Sequence, residues 1–223
     1  MSDALGSTLL QAAQQYLQRG WSPIPIPPKS KRPVIKGWPT LQLRSDELEQ
    51  HFGGEGNIGL VLGHVSGGLV DVDLDCDEAV ELAAQFLPAT AAKSGRPSRP
   101  QSHWWYYSPN TETVKFKDPV TGEMLVELRG PGPQTFFGPS THPDGEQYAN
   151  LTGEPALVPA PMLTACVEAL AERIIRQRHG ALPQPPASTT STPIRRIHDD
   201  DNVEARAIAY LDALPPSVSG QGG

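Results

Sequence analysis

Apolar residues return along this chain at two spacings, three to four apart in some stretches and two apart in others, and the changeovers predict its elements. Leu9, Leu10, Ala13, Tyr16 and Leu17 hold the helical spacing across residues 5–20, with Gly20 as the stop. Trp21, Ile24 and Ile26 predict a short strand, which its prolines confine to a sheet edge because they offer no N–H to a neighbour. Ser45 reads as the cap of a helix reaching Phe52, with Asp46, Glu47 and Glu49 in the first turn, where acids suit the helix dipole. A central pair of strands then begins at Asn57 and ends at Asp75. Residues 77–87 predict a helix with Val80, Ala83, Ala84 and Leu87 on one face and Pro88 as its end. A polar loop over 91–101 leads into a strand at 102–107 whose one face carries His103, Trp105 and Tyr107. Residues 115–121 read as a strand and turn. The strand at 124–128 sets Met124, Val126 and Leu128 on one face and Glu127 on the other. Turn formers enclose a short buried strand at Thr135, Phe136 and Phe137. A last helix over 161–178 turns Leu163, Val167, Leu170, Ala171 and Ile174 inward and ends in Arg173, Arg176 and Arg178.

The strand ending at Asp75 carries the first chemical signal. Leu69, Val70, Val72 and Leu74 are apolar while Asp71, Asp73 and Asp75 stand two apart, so a strand puts all three carboxylates on one face. Like charges repel there and resist burial, and a divalent cation that uses the charge accounts for them. The alternative is an edge strand with a solvated acidic face, against which the apolar run before it argues. Because this strand feeds the helix at 77–87, Asp75 falls at a strand end, where sheets with helical cover commonly carry ligands. His103 follows a loop rich in Gly, Arg and Lys, of the kind that holds phosphate oxygens, although a strand histidine can equally be structural. Glu127 and Arg129 share one side of their strand, and alone would be a surface pair of little worth.

Composition narrows the setting. The 223 residues allow one sizeable domain or two small ones. No apolar run approaches the ~20 residues a membrane helix needs, and the N-terminus has neither a basic start nor a cleavage site, so the expectation is a soluble, cytoplasmic chain with no membrane partner. Two cysteines, Cys76 and Cys166, exclude a disulfide framework and a four-cysteine zinc site. The net charge of −7 argues at first against a polyanionic partner. Its distribution changes the picture: Lys29, Lys31, Arg32 and Lys36 cluster without an acid, as do Lys93, Arg96 and Arg99, while acid gathers in the strand and at Asp199, Asp200 and Asp201. Either basic cluster alone reads as a solvated loop. From Gly180 the composition is that of a flexible linker, so the expected organisation is a catalytic domain at 1–179, a linker at 180–200 and the start of a downstream helical region at 201–223.

In this order the motifs resemble the bifunctional primase-polymerase (prim-pol) family of the archaeo-eukaryotic primase superfamily. The resemblance rests on the strand ending in Asp73-Leu74-Asp75, the Gly/Arg loop before His103, and Glu127 and Arg129 in Val126-Glu127-Leu128-Arg129-Gly130. Lys31-Arg32-Pro33 through Lys36-Gly37-Trp38, Asn57-Ile58-Gly59-Leu60, and Gly138-Pro139-Ser140 with His142, Gly145 and Tyr148 agree with it, and together these cover about residues 5–178. Asp71-Asp73 fits an acid-x-acid motif as well as Asp73-Asp75 does. The family pattern, with several apolar residues before its first acid, selects the second pair and leaves Asp71 as a further candidate ligand. The family's Ser-x-His is here Gln101-Ser102-His103, with the serine displaced by one, and the ligands of the zinc-binding insertion found in some members are missing.

The resemblance implies an α+β fold, with a catalytic sheet half related to the RNA-recognition motif and a smaller α/β unit packed beside it. It implies template-dependent nucleotidyl transfer by a DNA primase and polymerase. Asp73, Asp75 and Glu127 would hold two Mg²⁺ or Mn²⁺ ions, His103 and Arg129 would grip a nucleoside triphosphate, and Arg96 and Lys93 would assist. The loop with Lys31, Arg32 and Lys36 would touch template phosphates, with Trp38 stacking on a base or anchoring the loop. Implied partners are a single-stranded DNA template and primer, nucleoside triphosphates, and helicase-type domains beyond Gly223. A metal-dependent nuclease and a catalytically silent nucleic-acid-binding module of a replication protein are the alternatives; the first gives no reason for a triphosphate-gripping His and Arg, the second none for three converging acids.

Overall fold

In the computed structural model the described residues are 2–149, 151 and 153–180, with side chains from Leu9 onward. The amphipathic start forms α1 (Ser2–Gln18), which buries Leu9, Ala12, Ala13 and Tyr16. Gly20, at φ +76°, lets the chain turn directly into β1 (Ser22–Ile26). The expected helix from Ser45 is shorter, α2 (Leu48–Phe52), and Ser45 does not cap it. The Glu47 carboxylate instead accepts from the Arg44 N–H at 2.8 Å, holding residues 44–47 as a separate turn.

Next come β2 (Asn57–Val61) and β3 (Leu69–Leu74), each buried at every position. The sequence suggests that they pair, but they enter different sheets; an isolated Gly63–Leu69 bridge links the backbone just after β2 to the start of β3. The helix α3 (Asp77–Phe86) buries Ala79 and Ala83, with Ala79 in the place expected for Ala84, which is exposed. The expected polar loop at 91–101 is a hairpin of β4 (Lys93–Arg96) and β5 (Arg99–Tyr107). No apolar alternation marks β4, because its specification is backbone contact: a Cβ on Gly95 would stand 2.4 Å from the Arg99 carbonyl oxygen. The remaining elements are β6 (Val114–Lys117), β7 (Met124–Arg129), β8 (Gln134–Phe137), β9 (Ala156–Leu157) and α4 (Ala160–His179).

A small antiparallel sheet has the order β1-β2-β8, with the proline-bearing β1 at its edge, as the missing N–H groups require. The larger sheet has the order β4-β5-β3-β7-β6, antiparallel throughout, with β9 added parallel to β5. The acidic strand β3 is therefore central. One face of this sheet buries Val70, Val72, Leu74, Tyr106, Val126 and Leu128 against α3 and α4. On the other face Leu69 and Trp105 pack with Tyr16, Trp21, Leu60 and Phe137, from α1 and the small sheet. The architecture is mixed α+β, built on antiparallel sheets with few helices. At the end of α4, Arg178 donates to Glu78 through Nε and Nη2, each at 2.8 Å, and His179 Nε2 lies 2.9 Å from Asp118, tying the helix to α3 and the β6–β7 turn. Among the described residues no helix is long and apolar enough to cross a membrane. The expected helical start at 201–223, and the linker apart from Gly180, lie outside the described residues.

Candidate active site

Strand register assembles the site. Asp73 faces His103 on β5 and Glu127 on β7, while Asp71 faces Trp105 and Arg129. Facing residues share a side of a sheet, so these groups project together from the side away from α3 and α4. Asp75 follows directly after β3 and keeps its line, its N–H donating to the Leu125 carbonyl at 3.0 Å. Asp73, Asp75 and Glu127 each offer a carboxylate oxygen, all within 4.8 Å of one another. Three oxygen donors held on rigid strands fit a hard divalent cation. Asp71 stands outside this trio, fully buried one row behind.

Arg129 binds the acids as a fork. Its Nη2 pairs with Asp73, its Nε donates to Glu127 Oε2 at 2.9 Å, and its Nη1 lies 3.6 Å from Asp71 Oδ2. Burial works against the guanidinium charge, but these carboxylates outweigh it and raise its pKa further. Burial would likewise lower the pKa of His103, yet Asp71 and Asp73 hold it up at about 9. The imidazolium therefore donates from Nδ1 to Asp71 at 3.1 Å, and its Nε2 has no hydrogen bond among the described residues. Lys115 Nζ is 3.1 Å from Glu127 Oε1. Burial raises the pKa of Asp73 despite His103 and Arg129.

Asp75 differs from its neighbours. Among the described residues no cationic side chain bridges its carboxylate; burial, and then the charge of Asp73, raise its pKa from 3.8 to about 6. A partly buried acid beside another acid, without a cationic side chain of its own, has the environment expected of a metal ligand. The folded chain thus keeps this proton at pH values where the unfolded chain has lost it. Ionising Asp75 costs the metal-free fold stability as pH rises from about 4 to about 6, and a cation bound there favours the ionised form. Mn²⁺ affinity, measured by calorimetry, is expected to be full above pH ~6 and to fall by up to about tenfold per pH unit below it. An affinity flat from pH 5 to 7 would remove Asp75 from the ligand set.

A cleft of about 610 Å³ opens in front of these groups. Lys31, Arg32 and Trp38 line it from the loop after β1, and Arg96 and Arg99 line it from the β4–β5 hairpin, so two basic clusters remote in sequence converge on one acidic centre. Gln134 Nε2 secures the loop by donating to the Lys31 carbonyl at 2.8 Å. Arg96 reaches the cleft with its Nη1 already engaged by Glu146 at 2.6 Å and Asp144 at 2.7 Å. Two expected residues are not brought in. Lys36 is exposed away from the cleft lining. Lys93 pairs in register with Trp104 rather than His103, which sends it to the helix-covered side, its ammonium 3.5 Å from the Trp104 ring centroid.

The structure brings to the cleft residues that the sequence reading did not assign to the site. Arg99 Nη1 donates to the Asp75 carbonyl at 2.7 Å, and its place in the 93–99 cluster was the available signal. Thr135 and Tyr148 line the cleft from the small sheet and the segment after it. Ser102 lines it as well, although it neighbours His103; Gln101 at φ +54° and a register shift in β4 interrupt the alternation there.

No curated protein matches this chain. Residues 13–163 match the family model described as bifunctional DNA primase/polymerase, N-terminal. That span runs from within α1 through every strand to the start of α4, well over half of the 223 residues, and takes in Asp73, Asp75, His103, Glu127 and Arg129; the chain belongs to the bifunctional DNA primase/polymerase (Prim-Pol) family.

Proposed function

We propose that this domain transfers nucleotides from nucleoside triphosphates to a 3′-hydroxyl on a single-stranded DNA template, using two Mg²⁺ or Mn²⁺ ions. The observation that carries this reading is the convergence of Asp73, Asp75 and Glu127 within 4.8 Å beside a cleft lined by cations. Bound at these acids, the ions supply charge neutralisation at the phosphates and a more acidic 3′-hydroxyl. The protein's share is placement. The free Nε2–H of His103 and the fork of Arg129 hold phosphate oxygens, with Arg99 and Arg96 adding positive field. Lys31, Arg32 and Trp38 take the template beside the cleft, through phosphate contacts and stacking. The larger sheet, with helices on one face and acids on the other, supports a catalytic half of RNA-recognition-motif type, with the small sheet and α1 as the accessory unit. The catalytic domain spans 1–179 and connects through the linker to helicase-type domains in a longer protein.

The test is incubation with a single-stranded template and each nucleotide set, with and without primer. Extension that needs template and metal supports the reading, degradation favours a nuclease, and a gel shift alone favours a binding module. Within that assay His103→Ala should raise the nucleotide KM by roughly tenfold or more and spare kcat, because a charge-assisted contact to a phosphate is made in ground and transition states alike. An unchanged KM would remove His103 from the triphosphate site.

A further inference from the structure

Asp71 is wholly buried at a strand position where an apolar side chain would pack without the cost of desolvating a charge. The contacts that compensate it all come from the site. His103 Nδ1 lies 3.1 Å from Asp71 Oδ2 and 3.3 Å from Oδ1, and Thr135 Oγ1 donates to Oδ2 at 2.9 Å. Arg129 Nη1 is 3.6 Å from that same oxygen. Three strands supply these partners: β5 brings His103, β7 brings Arg129, and β8 of the other sheet brings Thr135.

We propose that Asp71 is a positioning residue, which aims His103 and Arg129 together at the phosphates of the nucleotide and is itself locked by Thr135 from the second sheet. The inference rests on the nucleotidyl-transfer reading above. Its physical basis is that a ring held through Nδ1 presents Nε2 in one direction, so less freedom is lost when phosphate arrives. Asp71 also stands outside the trio of acids suited to a cation. Its contacts with His103 and Arg129 therefore do not use the carboxylates that would hold a cation, and would not be given up to one.

Asp71→Asn removes the charge and keeps the shape, Thr135→Val removes the hydroxyl and keeps the shape, and Thr135→Ser keeps the hydroxyl. For each, calorimetry gives the affinity for Mn²⁺ alone and for dGTP or GTP with Mn²⁺, and primer extension gives KM and kcat. Asp71→Asn is expected to weaken nucleotide binding and raise KM on the order of tenfold to a hundredfold, with kcat at saturation and Mn²⁺ affinity changing far less. Thr135→Val should move the same way by less, and Thr135→Ser should match the wild type. A purely structural role would lower melting temperature and active fraction without this separation of KM from kcat. Wild-type nucleotide affinity in Asp71→Asn overturns the positioning role and leaves nucleotidyl transfer standing, whereas a wild-type protein that binds Mn²⁺ but no nucleotide overturns both. Should Asp71→Asn fail to fold, the threonine pair decides, and an unchanged KM in Thr135→Val overturns the inference.

Discussion

Asp73→Ala and Asp75→Ala are each expected to abolish nucleotide addition, a loss on the order of 10³-fold or more in kcat, while the protein remains folded. The two carboxylates and Glu127 present oxygens within 4.8 Å of one another, and removing one leaves two donors where a hard cation needs several. Glu127→Ala belongs to the same class and should act on kcat rather than KM. The fold is expected to survive in the Asp75 variant because that carboxylate is held at an unfavourable pKa of about 6, so the metal-free variant should melt no lower than the wild type at neutral pH. Asp71→Ala should leave Mn²⁺ binding far less affected, since Asp71 lies behind the trio. Full extension by the Asp73 or Asp75 variant would sink the site assignment. Loss of Mn²⁺ binding in Asp71→Ala alone would move the acid pair by two residues.

Arg129→Met should produce the largest change in stability among the site variants. The guanidinium sits between Asp73 and Glu127, with Asp71 close by, and its side chain is only 21% exposed. Deleting it leaves buried acids facing one another without their main counter-charge, a situation that costs about 3–5 kcal/mol when one member of a buried ion pair is lost. For a protein of this size that lowers the melting temperature by about 6–20 °C. Because a divalent cation neutralises the same carboxylates, saturating Mg²⁺ or Mn²⁺ should recover much of the loss, and should stabilise the variant more than the wild type. Thermal melts with and without metal check this. Equal metal-induced shifts in the two proteins would show that Arg129 and the cation do not share the acids.

The features legible in the sequence are those that local geometry dictates. Period two from Val70 to Asp75 places the acids on one face, because successive strand side chains point to opposite sides. The helical spacings of α1 and α4 name their buried faces, and the prolines of β1 assign it to an edge, since each of these follows from backbone chemistry within a few residues. The resemblance carried by Asp73, Asp75, His103, Glu127 and Arg129 is likewise present in the order of residues alone.

The remaining features depend on pairing between distant segments. Asp71, Asp73 and Asp75 are equivalent by spacing, and the register with β5 and β7 separates them: Asp71 is placed behind, against His103, Thr135 and Arg129, and Asp73 and Asp75 are placed forward with Glu127. The same register sends Lys93 to the helix side, and a backbone-specified hairpin carries Arg96 and Arg99 to the cleft. Asn57–Val61 and Leu69–Leu74 look alike as apolar strands, yet they complete different sheets because their partners, β8 for one and β5 with β7 for the other, lie far along the chain. Period and propensity act over a few residues, whereas register, sheet membership and the meeting of two basic clusters at one acidic centre arise from contacts tens of residues apart, which no local pattern encodes.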